Sequence, residues 1–230
     1  MIRIGFDRHL EELQDELIEL GNLVEEAITR AIDALKARDL EASRCVIAGD
    51  DLIDHQRFHL EEQCIYLMAT QQPLATDLRI LITITHVAVE LERMGDYAEG
   101  IAKISLMMGE EPPLKPLIDI PRMAEKAIDM LHQSMDALIR AVLMKEDEKA
   151  IKALAFQVCD ADDEVDALYD QVYRELLTLM IQDPKSIQRA TYLLWVAHNL
   201  ERIADRATNI AERVIFLITG KLTEVKVSTY

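Results

Sequence analysis

The 230-residue chain is half hydrophobic and poor in Gly and Pro, which suits one large helical domain or two small ones with a substantial core. Its 25 Lys and Arg face 42 Asp and Glu, and the net charge of -17 repels phosphate backbones and argues against nucleic acid as a ligand. Metal cations, or a partner with a basic surface, are better company. From the N-terminus, Leu10, Leu13, Leu17, Leu20, Val24, Ala27, Ala31 and Leu35 keep three- and four-residue steps, the stripe of a helix facing a bundle. A break near Arg38 and Asp39 leads to a second helix running to about Thr70, and Pro73 marks a hairpin turn. The third helix spans about Asp77 to Met108, with Ile80, Ile84, Val87, Leu91, Met94, Ala98 and Ile101 inward. Pro112, Pro113, Pro116 and Pro121 crowd the next segment, where no helix persists until Pro121 starts one. Helices near Arg122 to Met144, Asp147 to Ile181 and Ser186 to Thr219 follow, with Pro184 at the second hairpin. Leu193, Val196, Leu200, Ile203, Ala207, Ile210 and Leu217 repeat the inward stripe. The expected fold is all-α: two tandem three-helix bundles, built from six long antiparallel helices. Residues 1–111 form the first bundle, 112–121 a Pro-rich linker and 122–230 the second.

Cys45, Cys64 and Cys159 are odd in number and form no Cys-x-x-Cys pair, so they read as small core residues in a reducing compartment. Arg3, Asp7 and Arg8 leave no room for a signal peptide at the start. The run from Gln63 to Thr76 is uncharged but broken by Pro73, and the runs Ile80 to Val89 and Ala190 to Leu200 are too short for a bilayer. A soluble, cytoplasmic protein without a membrane span is expected.

One short phrase occurs twice. Glu-Arg-Met-Gly-Asp, from Glu92 to Asp96, returns as Glu-Arg-Ile-Ala-Asp, from Glu201 to Asp205. Each copy has two acids upstream: Asp50 and Asp54 for the first, Asp162 and Asp166 for the second. All four pairs have i, i+4 spacing, which puts both carboxylates of a pair on one helix face. In an antiparallel hairpin, residues at equal height have numbers with a constant total. Asp50 with Asp96 and Asp54 with Glu92 share one total, centred on Pro73. Asp162 with Asp205 and Asp166 with Glu201 share another, centred between Asp183 and Pro184. Each half is therefore expected to gather four carboxylates at matched heights. At about 100° per residue, Glu92, Asp96 and Glu99 lie away from Leu91, Met94 and Ala98, which puts the site on the bundle surface.

Four clustered carboxylates repel one another and raise their own pKa values unless a cation neutralises them. Oxygen-only ligation suits hard ions such as Mg, Ca, Mn or ferric iron, singly or bridged, better than a thiolate-type zinc site. Arg93 and Arg202 follow the motif glutamates and could form surface ion pairs of little energy. His55 and His59 stand at i, i+4 but lack the glutamate of a His-Glu-x-x-His motif, so they read as solvent-exposed. His86 and His198 read as surface or packing residues, and Tyr192 and Trp195 as core or interface aromatics. A carboxylate di-iron enzyme would need Glu-x-x-His pairs, and no His here has Glu three residues before it. No Gly-rich phosphate loop or Gly-x-Ser-x-Gly elbow is present. The remaining alternative is a plain helical scaffold or dimerisation module whose acids only solubilise it.

The two Glu-Arg-hydrophobic-small-Asp motifs, the Pro-split hairpins and the Pro-rich linker resemble the PhoU family of phosphate-signalling proteins. The resemblance extends to Gln72-Pro73 with Asp77-Leu78-Arg79 at the first turn, and to Ile53-Asp54 matching Val165-Asp166. It implies tandem three-helix bundles whose carboxylate motifs bind surface metal clusters, with iron or zinc in some members; iron, zinc, Mg or Mn are thus the candidate ions. It implies a non-enzymatic adaptor, with no catalytic residues, that holds the phosphate ABC transporter and its sensor histidine kinase in check when phosphate is plentiful. The implied partners are the transporter's ATPase subunit, the kinase and a second copy in a homodimer. Carried over, the first site uses Asp50, Asp54, Glu92 and Asp96, and the second Asp162, Asp166, Glu201 and Asp205. Asn209 stands one turn further on, as an outer ligand of the second site, where the first repeat has Gly100 preceded by Glu99. About one extra helical turn precedes Asp162. Ile82 and Val89 are the apolar positions expected to mediate self-association.

Overall fold

The computed structural model describes residues 2–144 and 147–222; the last residues assigned to the second bundle, 223–230, lie outside the described residues. Six helices form: α1 Ile2–Ala37, α2 Leu40–Gln71, α3 Thr76–Met108, α4 Asp119–Ile139, α5 Glu148–Gln182 and α6 Ile187–Thr219. Their ends follow from local chemistry. Asp39 caps α2, its Oδ1 accepting from the backbone N–H of Glu41 and Ala42 at 3.0 and 2.9 Å. Asp147 caps α5 in the same way through Lys149. Gln72, in the left-handed region at φ 49°, ends α2 just before Pro73. Asp183 caps the 3-10 turn Pro184–Ser186 that leads into α6. The helix after the linker starts at Asp119, earlier than the expected Arg122, because Pro121 sits within the first turn, where its missing N–H costs nothing. Beyond Ile139, α4 continues as a π-helical turn, Arg140–Met144.

Each half is an antiparallel three-helix bundle, α1–α3 and α4–α6. The bundles join through α3 against α6 and α1 against α4, so four helices form the interior and α2 and α5 flank it on opposite sides. One continuous apolar core runs through both bundles. Leu91 on α3 and its repeat counterpart Leu200 on α6 are both wholly buried. Each such side chain contributes about 1.5–3 kcal/mol relative to exposure. The inward stripes match the sequence reading except at two positions: Ile28 is buried and Ala27 only half-buried, and Ile80 packs on the core from its edge.

One other expectation is corrected by burial. Cys64 and Cys159 are core residues, but Cys45 is exposed, because it falls on the outer face of α2. Trp195 is 48 % exposed and stacks at a tilt on half-buried Tyr192, with ring centroids 5.8 Å apart, so this pair lies outside the core. Ile82 and Val89 are half-buried within the chain.

The α3–α6 contact has a regular register. Arg79 lies against Gly220, His86 beside Arg213, Glu90 on Asn209, Tyr97 on Arg202 and Gly100 against Asn199. The residue numbers of every pair share one total, the signature of two antiparallel helices related by a pseudo-twofold axis. Glu90 is the hub of this polar seam, accepting from Arg206 Nη1 at 3.2 Å and Asn209 Nδ2 at 3.0 Å. Both Glu90 and Arg206 are mostly buried there.

Candidate functional site

The pairing inferred from constant totals is realised in space. In the first repeat, Asp50 and Asp54 on α2 stand close enough to Glu92 and Asp96 on α3 to act on their charges, and Glu99 joins them. Asp50, Asp54 and Glu92 are half-buried and Asp96 is exposed. Gly95 permits the approach: a Cβ there would lie 3.1 Å from Ile53 and 3.4 Å from Asp50 Oδ1. Burial pushes the Asp50 carboxyl up to about 6, helped by the charges of Glu99, Asp96 and Asp54 and opposed by Lys103. Glu92 and Asp96 are raised for the same reason, burial first and neighbouring carboxylates second, with Arg57 and Arg93 pulling Glu92 down.

In the second repeat, Asp162 and Asp166 on α5 act on Glu201 on α6 together with Asp205. Here the surface location expected from helical geometry is corrected. Glu201 is only 8 % exposed, because Tyr169 of α5 and His198 stand beside it. Those two rings lie 6.2 Å apart by centroid, and His198 Nδ1 is 3.2 Å from Glu201 Oε2. Burial lowers the pKa of that imidazole, so at neutral pH it supplies no formal charge. Glu201 Oε2 is buried with no hydrogen bond among the described residues. Burial, then Asp205, with Asp166 and Asp162 adding to it, pushes the Glu201 carboxyl up to about 7 against the opposing Arg202. Such a group is strained as an anion until something positive reaches it.

Asp205 pairs with Arg202 at 2.6 Å, and Arg202 is held in turn by Tyr97 from the other repeat. Glu99 pairs with Lys103. Among the described residues, no three His, Cys, Asp or Glu side chains converge as a closed ligand group. Asn209, expected as an outer ligand, gives its amide to Glu90 in the seam, so it faces the first repeat. His55 and His59 are exposed, as expected. Lys103, Tyr169 and Arg57 were missed by the sequence reading. A comparison of the two repeats position by position, rather than of the acids alone, would have found them.

Two tandem three-helix units, each with an acid quartet across one hairpin, define a duplicated all-α carboxylate protein. The family model described as the PhoU domain matches residues 17–105 and again 120–214. The phosphate-specific transport system accessory protein PhoU homolog of Aquifex aeolicus is 41 % identical over 217 residues, 94 % of each chain. The homolog of the same description in Clostridium acetobutylicum is 37 % identical, covering 98 % of this chain and 99 % of that one. The crystal structure of PhoU from Pseudomonas aeruginosa superposes with a TM-score of 0.86 at 33 % identity, over 94 % of this chain and all of that one. The phosphate transport system regulatory protein PhoU from Streptococcus pneumoniae gives 0.85 at 31 %, over 96 % of this chain and all of that one. The chain belongs to the PhoU family. No helix among the described residues is long and apolar enough to cross a membrane.

Proposed function

We propose that this chain is a cytoplasmic, metal-binding, non-enzymatic adaptor that negatively regulates phosphate uptake and the phosphate-starvation response. It would link the phosphate ABC transporter, through its ATPase subunit, to the sensor histidine kinase. The names of its relatives, a phosphate transport accessory protein and a phosphate transport regulatory protein, support the transport role.

The observation that carries the metal reading is the buried Glu201 Oε2, which makes no hydrogen bond among the described residues, has His198 Nδ1 3.2 Å away and stands within an oxygen-only acid quartet. Asp162, Asp166, Glu201 and Asp205 would hold a hard ion in the second repeat, and Asp50, Asp54, Glu92 and Asp96 one in the first. The ion supplies the positive charge that cancels the repulsion among these acids. The protein's part is to fix four carboxylates on two rigid helices, at a height set by the hairpin turns. The net charge of -17 suits partners with basic patches, with contacts that weaken as salt rises.

Elemental analysis of protein purified without chelator tests the metal reading. Replacing Glu201 and Asp205 by Ala should remove the metal of the second site, and replacing Glu92 and Asp96 by Ala that of the first, with helicity retained in both. Metal content unchanged in both variants would sink the assignment. The adaptor reading predicts that a deletion strain keeps its phosphate-starvation genes active in rich phosphate. Normal repression in that strain, with neither partner co-purifying, would remove it.

A further inference from the structure

Exposed apolar side chains recur at matched places in the two repeats. The second helix of each bundle maps onto its counterpart as Asp54 onto Asp166, and the third as Glu92 onto Glu201. By the same offsets Ile65 of α2 matches Leu177 of α5, and Leu78 of α3 matches Ile187 of α6. All four are between 37 and 57 % exposed. A single exposed leucine is ordinary, but the same pair on both hairpins, at positions that no core requires, is not. In the second repeat these residues line a surface groove that leads from the hairpin tip to the acid quartet. Tyr169 and His198 meet across α5 and α6, their rings 6.2 Å apart, which fixes the facing sides of the two helices. Tyr173 and Leu177 follow Tyr169 at four-residue steps, while Leu194 and Ile187 precede His198 by one turn and three, so all four share those sides. Tyr173 is exposed as well, and Leu194 is half-buried. The other end of the groove is acidic: Glu201 and Asp170 act on Tyr169, and Asp166 and Asp205 act on Glu201. The track from Ile187 to Glu201 is about 21 Å long.

Resting on the adaptor reading above, we propose that the two hairpins carry equivalent docking grooves for an amphipathic helix of a partner protein, apolar on one face with Lys or Arg beside it. The apolar face covers Leu177 and Ile187 in one groove, or Ile65 and Leu78 in the other. A basic side chain of the same helix reaches the carboxylates at the far end. A divalent ion and Arg202 together do not cancel four carboxylates, so the acidic end attracts cations with or without metal. Charge also decides against the other occupants. A second copy brings its own net charge of -17 to the contact, and an anionic lipid surface is repelled in the same way. A basic amphipathic helix gains on both counts, burying apolar surface at the tip and pairing charge at the quartet.

Fluorescence anisotropy of the full chain with a labelled peptide of about fourteen residues, made only of Leu and Lys with the leucines on one helical face, tests this. Wild type should bind two peptides per chain, on the order of tenfold more tightly than a peptide of the same composition in scrambled order. Leu177→Gln with Ile187→Gln should leave one peptide bound. Adding Ile65→Gln with Leu78→Gln should reduce binding to the scrambled level. These side chains are exposed, so circular dichroism and the urea midpoint should barely change. A peptide with Glu in place of every Lys should not bind. The docking fails if the scrambled peptide binds as tightly, or if the four substitutions leave binding unchanged. It fails equally if they dissociate a wild-type dimer in sedimentation, or release the chain from phosphatidylglycerol vesicles, since the groove then belongs to a second copy or to lipid. The titration needs no transporter, kinase or metal. Peptide binding alongside normal repression in the deletion strain would remove the adaptor reading and keep the grooves. A deregulated strain whose protein binds no peptide would do the reverse.

Discussion

In the first repeat the acid quartet meets three cations, Arg57, Arg93 and Lys103, whereas in the second Glu201 meets Arg202. Tyr169 stands where the repeat would match Arg57, and Glu212 where it would match Lys103. Burial raises carboxyl pKa values in both sites, Asp50 to about 6 and Glu201 to about 7. Equal helical geometry does not make equal sites. What separates them lies one turn away from the acids, and in which ring covers them.

Four measurements would break or sharpen that contrast. The largest effect falls where the repeats should behave alike. Leu91→Ala and Leu200→Ala each remove a fully buried counterpart and should cost about 3 kcal/mol apiece in denaturant unfolding. A difference much larger than 1 kcal/mol between them would mean that the cores, not only the sites, have diverged. Next is the seam. Glu90→Ala leaves mostly buried Arg206 and half-buried Asn209 without their acceptor and should cost about 2 kcal/mol. Asn199→Ala, at the position matched to Glu90, should cost less than about 0.5 kcal/mol, since its amide merely lies against Gly100.

The pH dependence of metal-free protein is smaller and has a definite sign. The Glu201 carboxyl rises from its ordinary 4.5 to about 7 on folding, so the folded state holds the proton more tightly than the unfolded chain. Its contribution is complete below the ordinary value and is lost as pH climbs through about 7. The urea midpoint of wild type should therefore fall relative to Glu201→Gln between pH 5 and 8. Asp50→Asn should show the same trend about one pH unit lower, where Asp50 titrates near 6. A wild-type midpoint that tracks Glu201→Gln at every pH would mean that this carboxyl is not shifted. Smallest is Gly95→Ala, which makes the first motif resemble the second. The gain of about 1 kcal/mol in helix propensity is offset by contacts at 3.1 Å with Ile53, so net stability should move by less than about 1 kcal/mol. Crowding of Asp50 should nonetheless weaken manganese uptake at the first site alone.

Much of this was legible in the sequence. The six helices, both hairpins and the grouping of Asp50, Asp54, Glu92 and Asp96 follow from periodicity and from the turns at Pro73 and Pro184, because a tight turn fixes the register of the helices it joins. The extra turn before Asp162 is present: it lies fifteen residues past its N-cap Asp147, whereas Asp50 lies eleven past Asp39. What escaped depends on contacts that no turn dictates. The α3–α6 register is set by packing across the linker, so nothing local announced that Asn209 would face Glu90 instead of the acids. Nor does periodicity show that Tyr169 stands beside Glu201, because that ring comes from another helix. Lys103 was missed because attention to repeated residues hides the unrepeated ones.

The common total of the α3–α6 pairs has one more consequence. A pseudo-dyad between two stretches of a single chain is an isologous interface whose halves are free to differ. In a dimer of identical units, every substitution on the axis would be read twice, and a charge placed near one site would appear at both. Here each contact is made by a different pair, Glu90 with Asn209 at one end and Asn199 with Gly100 at the other. Fusion has thus converted symmetry from a constraint into a template, and the contrast between Glu99–Lys103 and Thr208–Glu212 is an asymmetry that only a fused pair can carry.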